Sequence, residues 1–110
     1  MIKESEKIIM IKTAITLRVL LNLNKSSLIA SNKEDEIVSS YEKISTHSNS
    51  DLTKATVNNA FSGVKRSTMP TIIMIVETMG FTMQDFGEQY SKVKDEHILA
   101  FRQNIMKQKF

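Results

Sequence analysis

Only three glycines and one proline punctuate 110 residues, and that scarcity constrains the fold more than any other feature. A sheet of short strands needs tight turns, and Gly and Pro supply most of them. The sequence therefore predicts an all-α chain. Gly63 and Gly80 each follow a stretch of apolar residues at helical spacing, where a left-handed residue ends a helix. Pro70 falls in the first turn after Thr68, a position where its missing N–H costs nothing.

An apolar fraction of 41% fits one compact domain with a helix to spare, and excludes a disordered chain. With no cysteine, disulfides and thiolate metal sites are excluded, and the chain fits a reducing cytoplasm. The longest apolar stretch, Ala14 to Leu23, is interrupted by Thr16, Arg18 and Asn22 and is too short to span a bilayer. Lys3, Glu4, Glu6 and Lys7 precede it and no small-residue cleavage site follows, so neither a membrane association nor a secretory signal is expected. Met10 offers an alternative start, which would leave the first nine residues as an extension.

Apolar positions Ile8, Ile11, Ile15, Val19 and Leu23 predict a helix over residues 4–23, although Thr16 to Leu23 also reads as a strand. Asn24 to Asn32 reads as a loop. Beyond it, Asn32 can cap a helix whose first turn carries Glu34, Asp35 and Glu36, with Ile37, Val38, Tyr41, Ile44 and Ser48 on one face. Ser39 and Glu42 form a capping-box pattern, so a second start is equally readable there. His47 to Leu52 is a polar turn. Thr53 then caps a helix with a narrow stripe of Val57, Ala60 and Phe61. Thr68 caps another that buries Ile72, Ile73, Ile75, Val76 and Met79. Thr82 starts a short one with Met83 and Phe86 inward, and Asp95 caps the last, with Ile98, Leu99, Arg102, Ile105 and Met106 at helical spacing.

The succession of a short helix, a turn, a second short helix ending in Gly, a basic loop and two further short helices resembles the Cro-type, or XRE-type, helix-turn-helix family of DNA-binding regulators. The resemblance is carried by Lys54-Ala55-Thr56-Val57, Phe61-Ser62-Gly63, Thr68-Met69, Ile72-Ile73 and Ile75-Val76, and continues from Met79-Gly80 through Phe86. Upstream, Ser40-Tyr41-Glu42-Lys43-Ile44-Ser45 looks like the first helix of the motif. Tyr41 stands where the family most often has Gln, and the turn from Thr46 to Leu52 is about two residues longer than usual and has no glycine. The resemblance implies a compact five-helix, lambda-repressor-like domain with an additional C-terminal helix. Its organisation would be an N-terminal extension over 1–12, a DNA-binding domain over 13–90 with the motif at 40–63, and a C-terminal helix over 91–110 as a candidate dimerisation element.

The residue chemistry points the same way. From Leu52 to Val76 there is no acidic residue, while Lys54, Lys65 and Arg66 are present; such a surface suits phosphates and base edges. Thr53, Lys54, Ala55, Asn58 and Asn59 lie away from the apolar stripe of their helix and are the candidates for reading bases. Asn can bond adenine bidentately, Lys suits guanine, and Ala can touch a thymine methyl. Ser62, Lys65 and Arg66 are the candidates for gripping phosphates, with Ser40, Tyr41 and Thr56 as secondary ones.

His47 and His97 have no ligand-spaced partners, and no nucleophile–base pair or phosphate-cradling glycine loop is visible, so neither a metal, a cofactor nor an enzyme is expected. The expected function is that of a transcriptional regulator, a repressor for choice, binding double-stranded DNA as a homodimer. Two alternatives stay open: an antitoxin-like autoregulator that also binds a toxin protein, and a protein-interaction module that keeps the fold. The modest net charge of +3 is what sustains the last.

Overall fold

The computed structural model describes residues 3–30, 38–48 and 52–108. They form six α-helices, with no strand among the described residues: α1 (Glu4–Ala30), α2 (Tyr41–His47), α3 (Lys54–Ser62), α4 (Met69–Thr78), α5 (Met83–Ser91) and α6 (Asp95–Gln108). The body measures 41 × 32 × 28 Å, and α1 alone, at 27 residues, is about 40 Å long. α1 packs against α3, α5 and α6; α2 packs against α3 and α4, and α4 against α5.

Each short helix has a local reason to begin where it does. The Thr53, Thr68 and Thr82 hydroxyls accept from the backbone N–H of Thr56, Thr71 and Asp85, satisfying donors that have no partner within the helix. At α5 the Asp85 carboxylate accepts the Thr82 N–H in return, at 2.9 Å, completing a capping box. α4 ends in a Schellman motif: Gly80 has φ +89°, its N–H reaches Glu77 O and the Phe81 N–H reaches Val76 O.

Three expectations need correction. α1 does not stop at Leu23 but continues to Ala30, through the stretch read as a loop and across the boundary drawn at residue 12. Asn24 explains the extension, because its carboxamide donates to Val38 O at 2.7 Å and Met79 O at 2.9 Å, tying α1 to two other segments. The α2 cap is Ser40, whose hydroxyl accepts from the Lys43 N–H, rather than Ser39. At α6 the capping position belongs to Lys94, whose N–H donates to His97 Nδ1 at 3.0 Å, and Asp95 is the first helical residue. The cap read at Asn32 and the acidic first turn at Glu34 to Glu36 lie outside the described residues.

The core is built from Leu17, Leu20 and Leu21 of α1, Ile44 of α2, Val57, Ala60 and Phe61 of α3, and Ile72, Ile75, Val76 and Met79 of α4. On α1 the buried face is rotated from the predicted stripe, with only Ile11 in common, and Leu23 is exposed. A helix covered by three others is apolar on more than one side, so spacing alone does not select the deepest side. Ile73, Met83 and Phe86 are half-buried rather than central.

Gly63 sits where α3 ends against α1. Its φ is +70°, and a Cβ there would lie 3.2 Å from the Ala14 Cβ and 3.4 Å from the Ile11 Cα. Gly80 is also left-handed, but a Cβ on it would meet nothing within 4 Å. Gly80→Ala should therefore lose about 1–2 kcal/mol, the cost of left-handed backbone. Gly63→Ala should lose more, because α1 must also move. Urea denaturation with an unchanged m-value checks the order; equal losses would mean that the α1–α3 approach is slack.

Candidate nucleic-acid interface

The turn between α2 and α3 is held by two serines. The Ser45 hydroxyl donates to Leu52 O at 2.7 Å, and the Ser48 hydroxyl donates to Ser45 O while accepting the Leu52 N–H. Leu52 itself is 2% exposed and sits in the core. Ser45, Ser48 and Leu52, on either side of residues 49–51, are thus tied together by side-chain hydrogen bonds, and Leu52 is anchored in the core. The Tyr41 ring packs on Phe61 with centroids 4.5 Å apart, a second tie between the two helices.

Val57, Ala60 and Phe61 hold α3 to the core by one face, which turns Thr53, Lys54, Ala55 and Asn58 to the exterior. Asn59 is half-buried, and its carbonyl accepts from the Ser62 hydroxyl at 2.9 Å. The Thr53 and Thr56 hydroxyls lie 2.8 Å apart, and both serve the start of α3. This leaves an exposed row of a lysine, an alanine and an amide, side chains able to pair with base edges, and no acidic side chain from α3 intrudes on it.

The residues read as phosphate contacts fall into two groups, one at each end of α3. Ser62 is the last residue of α3, and Lys65 and Arg66 lie past its C-terminal end. The Ser62 hydroxyl is engaged there by Asn59 O and the Val64 N–H. Arg66 is held by Glu6 of α1 in a two-pronged pair, Nε to Oε1 at 2.5 Å and Nη2 to Oε2 at 3.0 Å. That hydrogen bond and the carboxylate charge raise the already high pKa of the guanidinium. Lys65 is exposed and edges an apolar groove of about 360 Å³ between α1, α4 and α5, lined by Ile9, Met10, Met69, Ile72 and Phe86.

Ser40 and Tyr41 lie at the other end, beside Lys54, in a polar groove of about 460 Å³. Its remaining wall is α1, which contributes Arg18, Asn22 and Lys25. These three escaped the sequence analysis although their spacing, i, i+4 and i+7, puts them on one helical face. Reading residues 24–32 as a loop removed Lys25 from that face and hid the pattern. Arg18 is braced within the fold: its Nε donates to Phe61 O at 2.9 Å, and its guanidinium lies over the Phe101 ring, 4.7 Å from the centroid.

No protein-family model, curated protein or solved structure matches the chain. Among the described residues no cluster of three or more His, Cys, Asp or Glu could hold a metal ion, and no helix is long and apolar enough to cross a membrane.

Removing the Ser45 hydroxyl leaves the carbonyl of the buried Leu52 without this donor. Ser45→Ala is expected to cost about 1–3 kcal/mol in urea unfolding. It should also speed amide hydrogen exchange in the turn ahead of exchange in α4. Uniform exchange across both segments would show that the turn does not depend on Ser45.

Proposed function

We propose that the chain is a sequence-specific reader of double-stranded DNA, a transcriptional regulator of the Cro-type helix-turn-helix kind, with α3 laid in the major groove. The observation that carries the reading is the division of α3 into two faces. Val57, Ala60 and Phe61 are buried, while Lys54, Ala55 and Asn58 are exposed and acid-free. The serine-braced turn supports it, because base readout needs a helix held at one angle.

Thr53, Lys54, Ala55, Asn58 and Asn59 are assigned to base edges. Ser40, Tyr41, Thr56, Ser62, Lys65 and Arg66 are assigned to the sugar–phosphate backbone, Arg66 on condition that it exchanges Glu6 for a phosphate. A nine-residue helix reaches few base pairs, so the proposal includes two copies on a palindromic site, which doubles what is read. On α6, Ile98 is turned inward and Leu99 is 58% exposed, leaving an apolar position on the helix to which pairing is assigned.

Selection from a random duplex library should enrich a defined, two-fold symmetric motif. Asn58→Ala with Asn59→Ala should then relax one or two positions of that motif, each by about 1–3 kcal/mol of discrimination. Enrichment of no motif, with negligible binding at low salt, would reject DNA reading.

A further inference from the structure

We propose that the groove walled by α1 and the starts of α2 and α3 is the principal seat of the DNA backbone, with Arg18 and Lys25 holding the phosphates beside the base-reading Lys54. The inference rests on the DNA-reading function proposed for α3, and adds where the charge-dependent part of the affinity resides. The sequence places that grip in the loop after α3, and the structure gives reason to move it.

The first reason is charge. Arg18, Lys25 and Lys54 converge on one opening from two helices, against a single carboxylate, Glu42. Lys25 and Lys54 are exposed and form no ion pair among the described residues. Asn22, Ser40 and Tyr41 add neutral groups that can donate to phosphate oxygens. A groove of this lining is matched to a polyanion, and Arg18, already braced by Phe61 O and the Phe101 ring, loses little freedom on contact.

The second reason is the state of the loop. Arg66 already holds a carboxylate with two hydrogen bonds. Taking a phosphate would exchange one anion for another and leave Glu6 facing the DNA. The gain is then a difference between two similar interactions, not the release of a condensed counterion by a bare cation. Lys65 alone remains in that loop without an ion pair among the described residues.

The third reason is position. Lys54 belongs both to the groove and to the reading face of α3, so a backbone seated on Arg18 and Lys25 flanks the bases that α3 addresses. Glu42, on the groove wall, weakens the seat by its charge.

The test is a salt titration of full-chain binding to a mixed-sequence duplex by fluorescence anisotropy, between about 50 and 200 mM salt. It compares wild type with Lys25→Ala, Glu42→Gln and Arg66→Ala. All three positions are at the surface, and circular dichroism checks that the helices persist. Lys25→Ala should flatten the slope of log affinity against log salt by about 0.9, the loss of one phosphate contact. Glu42→Gln should tighten binding at the low-salt end, and Arg66→Ala, whose guanidinium already holds Glu6, should flatten the slope by less than Lys25→Ala does. An unchanged slope in Lys25→Ala, or a slope flattened more by Arg66→Ala than by Lys25→Ala, overturns this placement while leaving DNA reading intact. Absence of any salt-dependent binding by the wild type overturns the reading of α3 and this inference together.

Discussion

The contact between α1 and α3 is the constraint on which the rest of the structure depends. Its order along α1 runs opposite to its order along α3. Glu6 meets Arg66, Ile11 and Ala14 meet Gly63, Arg18 meets Phe61 O, and the last turns of α1 share a groove with Lys54. Gly63 suits the close approach, because a side chain there would crowd Ala14 and Ile11 of α1 and would sit on left-handed backbone. With one face of α3 pressed on α1 and the core, the opposite face has no choice but to face outward. The same contact supplies a cationic wall at one end of α3 and neutralises an arginine at the other.

Hydrogen bonds from side chains to carbonyls hold this arrangement in register. Arg18 satisfies the Phe61 carbonyl at the end of α3, where no intrahelical donor remains. Asn24 satisfies two carbonyls that come from opposite sides of the core, Val38 before α2 and Met79 after α4. Ser45 and Ser48 close the turn between α2 and α3. The ion pairs of Glu6 with Arg66 and of Glu4 with Arg102 lie at the surface, where such pairs contribute little to stability. Their importance is in what they do to the charges available to a partner.

Much of this was legible in the residues. Three threonines announced three helix starts, and Gly63 and Gly80 announced two ends, because caps are local and depend on a few adjacent residues. The inward stripe of α3 was legible for the same reason, since a short helix has only one face to bury. α1 was misread at both scales. Its serines and asparagines between residues 22 and 27 look like a loop until Asn24 finds carbonyls 14 and 55 residues away in the chain. Its deepest side could not be told from its other apolar sides, because α3, α5 and α6 surround it. The pairing of Arg66 with Glu6, 60 residues apart, is likewise a product of tertiary structure, and it changes what the basic loop can do.

In the proposed function, α3, flanked by the cationic side of α1, faces duplex DNA. Mapping amide chemical shifts of the labelled chain as duplex is added tests it most directly. The account predicts the largest changes at Lys54, Ala55, Asn58 and Asn59, with a second cluster at Arg18, Asn22 and Lys25. Little change is predicted along the groove lined by Ile9, Met69 and Phe86. Changes concentrated in that apolar groove, with α3 silent, would contradict the account.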